Sequence, residues 1–595
     1  MMDNKILCGL AALSSFAFSA ASASAQNLDP TVEVDRTYQG KLLEVDKPTL
    51  EMEVPDSLLR FDLDFSYDVL NNPYGGSYKF TPYRADMRPQ ADAYDGRRFF
   101  LRAGAGYQLR PELDLVYSPD FRGNRFQLNL YGNVRSFFGN YSKIGILPAA
   151  DPSTDWKIDA GNGDRSGYDF LARAGADGRY NWRRGFLSFD LGYYGLGSKS
   201  WRSYYGKDFK NELNAVDFGL RVASNDERDK YFLYDVKAAV RVGSDKMATQ
   251  LPSDPKLGFL DFSAMATLGP VVDSYSKILV DIYVGMSKYS DLYSGHIGNI
   301  YIAPHYFWDY NRWHFKVGVK VGSAVGSDSK DGALFRGPDS QIIYPDVKIG
   351  FEAVDGCMNL YALASGGDQV NNWSSLLADN HFLTSEDAVT LDNSIERFNT
   401  GIGMEGNWSA KFNYDLRLGV AAWKNGLVDM PEYYSSPDGT GILPGVGYED
   451  YNEFYVAGRG AFHTERLDID GSFRYRSQNL WSDRNFAIEA APLSFGVSST
   501  YNWNHKIYGG LSVKGATLRR GVVRVLSSAG GALSASSETC RVPGWINLGI
   551  HGEYAFTRKL HFFLDADNLL DSDIQYHPGL SAPGISVIGG IILIL

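Results

Sequence analysis

Basic charge, cysteine and long apolar runs are what this sequence has little of. Its 595 residues carry 58 Lys and Arg against 70 Asp and Glu, a formal net charge of -12. No basic cluster offsets that balance, which argues against a nucleic-acid partner, because neutralising phosphates takes a basic face. Only three cysteines occur, Cys8, Cys357 and Cys540, too few for a disulfide scaffold. Beyond the first residues no stretch approaches the roughly 18 consecutive apolar residues of a spanning helix. A hydrophobic share of 44% with 14% aromatics is equally unlike a disordered chain. Metalloprotease H-E-x-x-H, nucleophile-elbow G-x-S-x-G and phosphate-binding Walker patterns are absent, so the chain reads as a non-enzyme.

The N-terminus is the exception to the missing apolar runs. In "MMDNKILCGLAALSSFAFSAASASAQ", Lys5 precedes an apolar stretch, and small residues Ala23-Ser24-Ala25 precede Gln26. That order is a secretory signal with an A-x-A-like cleavage site, which places residues 1–25 in a leader and the mature start near Gln26. Export without a membrane helix leaves an exported soluble protein or an outer-membrane β-barrel.

From residue 98 onward the pattern is period-two alternation, the signature of strands with one apolar and one polar face. In "RLDIDGSFRYR", Leu467, Ile469, Phe473 and Tyr475 oppose Arg466, Asp468, Asp470, Arg474 and Arg476. "KFNYDLRLGVA" and "FLSFDLGYY" repeat the scheme, with Leu187, Phe189, Leu191 and Tyr193 opposing Ser188 and Asp190. Short connections near Arg183, Asn311, Asp355, Glu465, His505 and Thr557 alternate with long ones over 139–166, 366–392, 425–447, 477–489, 519–544 and 568–583. Short-then-long alternation is the pattern of outer-membrane barrels, with tight periplasmic turns and long external loops. The expected fold is an all-β transmembrane antiparallel barrel over 98–595, with about 22 strands and an even count. Aromatics such as Trp308, Tyr310, Trp313 and Trp503 near strand ends fit interfacial girdles.

Residues 26–97 behave differently. One alternating strand, Leu59 to Val69, sits among Pro-, Gly- and Tyr-rich turns, so this region is a periplasmic segment, an extra barrel strand or a short plug-like insert. Within "DPTVEVD", Thr31, Val32, Glu33 and Val34 form an extended apolar-polar box able to add a strand to the sheet edge of a partner; an ordinary linker is the other reading.

The last hairpin carries a family resemblance. A strand at Phe562 to Asp567 leads into Asn568-Leu569-Leu570, then Tyr576, Pro578, Pro583-Gly584 and a final apolar strand from Ile585 to Leu595. This resembles the C-terminus of TonB-dependent receptor barrels. The resemblance implies a 22-stranded outer-membrane barrel engaged in transport, with Thr31 to Val34 matching the box that meets a TonB-like periplasmic partner. Two departures stand out: receptors of this family carry a larger N-terminal plug domain than 26–97 could supply, and their barrels commonly finish on an aromatic residue where this chain has Leu595.

In the closing strand, Val587, Gly589, Ile591, Leu593 and Leu595 form the row expected to face lipid. Ile588, Ile592 and Ile594 make the inward row apolar too, which calls for a packing partner inside the barrel, with the segment from Gln26 to Gly96 as the leading candidate. Arg466, Asp468, Asp470, Arg474 and Arg476 are expected to face the lumen, since a Lys or Arg facing lipid at mid-depth costs about 2 to 4 kcal/mol. His305 and His314 lack a zinc-site spacing. Asp151, Asp155, Asp159, Asn162, Asp164 and Asp169 offer hard oxygens suited to calcium in an external loop, or are solvated turn residues. No resident cofactor is expected. The partners read from the sequence are outer-membrane lipid, the barrel-insertion machinery, and a periplasmic TonB-like protein or lumen-filling subunit. A role in transport through a lumen closed by loops, by the N-terminal segment or by a partner is the leading expectation. A plug-less structural or assembly subunit of an outer-membrane complex is the alternative.

Overall fold

The computed structural model describes residues 98–595 apart from 120–124, 148–154, 203–207, 225–230, 247–255, 293, 327–342, 384–390, 410, 437–438, 481–485 and 530–531. The leader, Thr31 to Val34 and the strand at Leu59 to Val69 lie outside the described residues.

Alternation along the chain becomes one continuous sheet. It starts with β1 (Phe99–Gly106), β2 (Glu112–Tyr117), β3 (Phe126–Leu147), β4 (Trp156–Trp182), β5 (Gly185–Arg202), β6 (Asp208–Ser224) and β7 (Phe232–Lys246). It continues with β8 (Lys256–Pro270), β9 (Ser276–Asp291), β10 (Gly295–Tyr310), β11 (Trp313–Gly326), β12 (Ile343–Val354) and β13 (Met358–Val370). A short helix α1 (Trp373–Asp379) precedes β14 (Asn393–Ser409), β15 (Phe412–Asp429), β16 (Glu432–Ser436), β17 (Gly439–Leu443), β18 (Val446–His463), β19 (Leu467–Leu480) and β20 (Leu493–Trp503). The chain ends with β21 (Ile507–Ala516), β22 (Arg519–Ala529), β23 (Ala532–Val542), β24 (Trp545–Ala555), β25 (Leu560–Asp567) and β26 (Ser586–Ile594).

Twenty-two of these strands close into an antiparallel barrel. Neighbours in sequence pair in turn, except that β15 pairs β18 and β21 pairs β24. The skipped hairpins β16–β17 and β22–β23 leave the wall. Closure comes from β1 against β26, in register from Phe100↔Ile594 to Gly106↔Ile588, and Phe99 and Leu595 exchange backbone hydrogen bonds of 2.8 Å. The Phe99–Leu595 end of this seam lies with the short turns, and its Gly106–Ile588 end with the long connections. Several of those turns need left-handed backbone: Asn311 at φ 54° and Asn504 at φ 53° take it, as asparagine tolerates.

Outward rows are apolar and exposed, as a lipid-facing surface must be. Leu191 and Val216 are 52% and 51% exposed, and Tyr193, Phe218, Leu220, Phe473 and Tyr475 share that face. In the closing strand, Ile591 and Leu595 are exposed, whereas Ile588 and Ile592 are buried. That inward apolar row packs on Phe563 of β25 and Phe100 of β1, and the Arg102 guanidinium lies 4.0 Å over the Phe563 ring. The wall itself supplies apolar cover here.

Wall height is uneven. A barrel strand needs roughly 9–11 residues to cross a bilayer. β1, β2, β25 and β26 have only 8, 6, 8 and 9, while β3 and β4 run to 22 and 27. The span 139–166, expected as a loop, is therefore largely strand. Its Gly, Ser and Asp content argued for a turn, but Ile144, Ile146 and Ile158 are buried against the hairpins that leave the barrel, and that packing holds the ladder together. Likewise 519–544 is mostly the β22–β23 hairpin. β16 runs parallel to β22, and β23 pairs parallel with β4 at Cys540↔Trp156. The result is a second, smaller layer of the same sheet at the long-loop end, joined to the wall through β4.

The apolar belt predicts a depth-dependent penalty. Phe218→Arg, mid-strand on the lipid face of β6, should cost about 2 to 4 kcal/mol of stability, read as a lower urea midpoint in bilayers. Unchanged stability would place that face elsewhere than in lipid.

Candidate functional site

Between β13 and β14 the described residues 371–383 and 391–392 turn into the barrel mouth. Asn372 caps α1 by accepting the Ser375 N–H at 2.9 Å, which starts the one helix among the described residues. Trp373 is fully buried, and Leu376, Leu377, Leu383 and Leu391 join it. They pack on inward side chains near the long-loop ends of the strands: Leu196 of β5, Leu213 of β6, Leu257 and Phe259 of β8, Tyr289 of β9 and Ile297 of β10. From the opposite wall Leu427 of β15 and Tyr448 of β18 complete the same cluster. The described residues of this connection, 371–383 with Leu391 and Asp392, thus touch both walls of the barrel mouth.

Polar contacts anchor it at each crossing. The Trp373 N–H donates to the Tyr289 hydroxyl at 3.0 Å, and its indole N–H to Asp245 at 2.9 Å. The Asn211 amide donates to the carbonyls of His381 and Leu383 at 3.1 and 2.6 Å. His381 Nδ1 lies 2.8 Å from Asp169 of β4, and the Asp392 N–H donates to the Tyr448 hydroxyl at 3.1 Å. Buried backbone groups of an inward loop need such partners, since water is excluded.

A second connection, 568–585, locks the first. His577 Nδ1 sits 3.2 Å from Asp429 at the end of β15, and its Nε2 sits 3.2 Å from the Asp379 carbonyl of α1. Arg519, at the root of the β22–β23 hairpin, reaches Asp429 at 3.6 Å and donates to the Tyr576 carbonyl at 3.0 Å. The Gln575 amide donates to the Ile158 carbonyl at 3.0 Å. Gly579 has φ +85°, and a Cβ there would sit 2.4 Å from Ile442 of the β16–β17 hairpin. The connection carrying α1, the connection 568–585 and the β22–β23 hairpin thus meet the end of β15 at one ionic point. Burial disfavours the charged His577, but its hydrogen bond to Asp429 and the charges of Asp429 and Asp379 outweigh that, so its pKa lies above the ordinary value. Burial raises the Asp379 carboxyl, opposed by the nearby His577 charge.

Beside α1 the lumen holds a cavity of about 670 Å³. Its lining combines Ser374 and Asn372 of this connection with Asp190, Asp217, Arg241, Asp261, Tyr301 and Glu396 from the strands.

Of the residues expected to face the lumen, Arg474 ion-pairs Glu453 of β18 at 2.5 Å. The Arg476 Nε–H donates to the Ala491 carbonyl at 3.4 Å, and Asp468 lies 3.3 Å from His463 Nδ1 near the short-turn rim. Asp470 is half-buried on β19, and Arg466 is exposed in the turn before it. None of the five lines the cavity. The cavity residues were visible in the sequence only as members of polar rows, Asp190 among them; their convergence is set by barrel closure and the loop above. His305 is buried on the inner face and His314 is near the short-turn rim, 3.0 Å from Asp309. Of the aspartates weighed as calcium ligands, Asp151 lies outside the described residues. Asp159, Asp164 and Asp169 spread along β4, so they do not share a loop. Among the described residues no group of three His, Cys, Asp or Glu is arranged to hold a metal ion.

Several solved structures share this architecture. The copper transporter OprC aligns with a TM-score of 0.58 at 12% identity, covering 84% of this chain and 80% of that one. The FrpB iron transporter from Neisseria meningitidis gives 0.58 at 9% identity, with 84% and 81% covered. The siderophore receptor PirA from Acinetobacter baumannii gives 0.56 at 8%, with 84% and 80% covered. No family model and no curated protein matches the chain. The structural likeness establishes the fold: an outer-membrane barrel like those of TonB-dependent receptors.

The His577 contact predicts a pH response. A histidine pKa raised in the folded state stabilises it when protonated. That contribution is full below about pH 6.5 and is lost as pH rises through the higher folded value. The gap in apparent Tm between the wild type and His577→Gln should be largest below about pH 6.5 and shrink as the pH rises above it. A gap independent of pH would remove His577 from the lock.

Proposed function

We propose, from a receptor-type barrel whose mouth its own loops bridge, that this protein carries a solute across the outer membrane and that the stretch 371–383, with α1, is its gate. The observation that carries this reading is the position of α1, held wall to wall beside a lumen cavity by a buried tryptophan and hydrogen bonds from opposite sides. A 22-stranded barrel is wide enough to need filling, and here external connections contribute to it. A fixed structural subunit would have no need of a cavity beside such a bridge. The similar structures named as transporters of copper and iron support the same class of activity. The chemistry is non-enzymatic: the work is recognition, release and gating.

Opening such a gate against its burial takes energy. The segment Thr31 to Val34 is suited to deliver it by pairing as an added strand with a TonB-like periplasmic partner. Deleting Gln26 to Val45 should leave the heat-modifiable barrel intact and abolish energised uptake; uptake that survives would rule that segment out.

The gate has a direct electrical test. In planar bilayers the wild-type chain should show little steady conductance, and a variant with 373–391 replaced by a short Gly-Ser linker should conduct steadily. Trp373→Ala, which removes about 3 to 5 kcal/mol of buried packing, should give intermittent openings. If the linker variant folds and stays as closed as the wild type, the gate lies elsewhere. If it stays closed while partner proteins co-purify with the wild type, the structural-subunit reading takes over.

A further inference from the structure

The charge balance around the cavity differs from that of other stretches of the wall. Elsewhere on the inner face carboxylates meet cations: Arg102 bonds Glu112 at 3.2 Å, Lys316 bonds Asp346 at 2.7 Å, and Lys348 bonds Glu405 at 3.1 Å. Among the cavity residues only Asp217 has such a partner, the guanidinium of Arg241. Asp261 takes a hydroxyl hydrogen from Ser374, Asp368 one from Tyr344, and Glu396 an amide hydrogen from Asn399 at 2.8 Å. Asp190 forms no ion pair among the described residues. One Asp261 oxygen and the Gln369 side-chain carbonyl are buried with no hydrogen-bond partner, and both residues line the cavity.

Five carboxylates and one guanidinium therefore line the cavity, and with the Lys320 ammonium behind the Tyr301 ring the carboxylates still outnumber the cations in a space partly shielded from water. Walls of low dielectric concentrate such a field and raise the local concentration of the opposite charge. An anionic chelate would enter against that field, and a neutral sugar would leave it uncompensated. The volume of about 670 Å³ falls in the roughly 300–1,000 Å³ range of small-molecule sites and is far larger than a bare ion needs. The carboxylates are also dispersed, with no three of the described metal-ligating side chains gathered for a metal. Tyr283 and Tyr301 stack with ring centroids 5.0 Å apart on the same lining, and the Lys320 ammonium lies 4.9 Å over the Tyr301 ring, so the aromatic pair already holds one cation of the wall.

We infer that this cavity binds a small organic cation, an amine or guanidinium compound, as the cargo of the gated barrel. The cargo assignment rests on the transport reading; the binding itself is measurable without flux.

Calorimetry on the full chain in detergent would use spermidine as the probe, with sucrose and citrate as neutral and anionic comparisons. Spermidine should bind, and its affinity should fall by at least about tenfold in Asp261→Asn/Glu396→Gln. It should also weaken steeply from about 50 to about 500 mM NaCl. Asp190→Asn serves as a second variant should the double one fail to fold, with a smaller loss expected. Citrate or sucrose binding as tightly as spermidine would overturn the inference. So would spermidine affinity unchanged in folded variants, or no binding by either the wild type or the linker variant. Salt gradients across the linker variant separate the two readings. A steady pore with no preference for cations sinks the cation site and leaves the gate standing, whereas a closed pore with intact spermidine binding does the reverse.

Discussion

Backbone hydrogen bonding in hydrocarbon is the constraint on which everything else here depends. A strand in a bilayer has no water to satisfy its N–H and C=O groups, so its sheet must have no open edge. The β1–β26 seam meets that demand through paired residues from Phe100↔Ile594 to Gly106↔Ile588. Once the sheet is closed, period-two alternation sends one row to lipid and the other to the lumen. The lumen row is then free to carry charge, and the connections at the long-loop end are the elements able to fold back over it.

That inward folding is achieved by burial as much as by polar contacts. α1 presents Trp373, Leu376 and Leu377 to a stretch of wall that is apolar at its long-loop ends, through residues such as Leu196, Leu213 and Leu257. Along the lumen the same rows turn polar, with Asp190, Asp217 and Asp261. One wall thus holds an apolar ledge where the loop rests and a charged stretch beside it. The ionic point at His577, Asp429 and Arg519 ties in the hairpins that leave the barrel. Loss of one contact there is felt by several connections, as the proposed gate would require.

Uneven wall height fits the same picture. Tall β3 and β4 provide the surface on which the β16–β17 and β22–β23 hairpins build their second layer. On the short side, β25 and β26 are joined by 568–585, which reaches across to Ile158 and Ser142. The low wall and the tall wall are linked at the mouth by that one connection.

Barrel class, strand parity, short turns and the outward rows were legible in the sequence because each depends on residues near one another in the chain. Leu191 against Asp190, or Phe473 against Arg474, needs only the two-residue period of a strand. The closing hairpin with Asn568-Leu569-Leu570 was equally local. The strands running through 139–166, the helix at Trp373 and the second layer were not legible, since turn-like composition was overruled by packing against segments hundreds of residues away. The cavity was hidden for the same reason: Asp190, Asp261 and Glu396 come together because closure curves their strands around one axis. The sequence by itself determined which residues face lipid and which face inward, because alternation is a local property of the backbone. Only the tertiary structure decided what bridges the mouth and which inward charges meet, because both depend on distances set by the closed barrel.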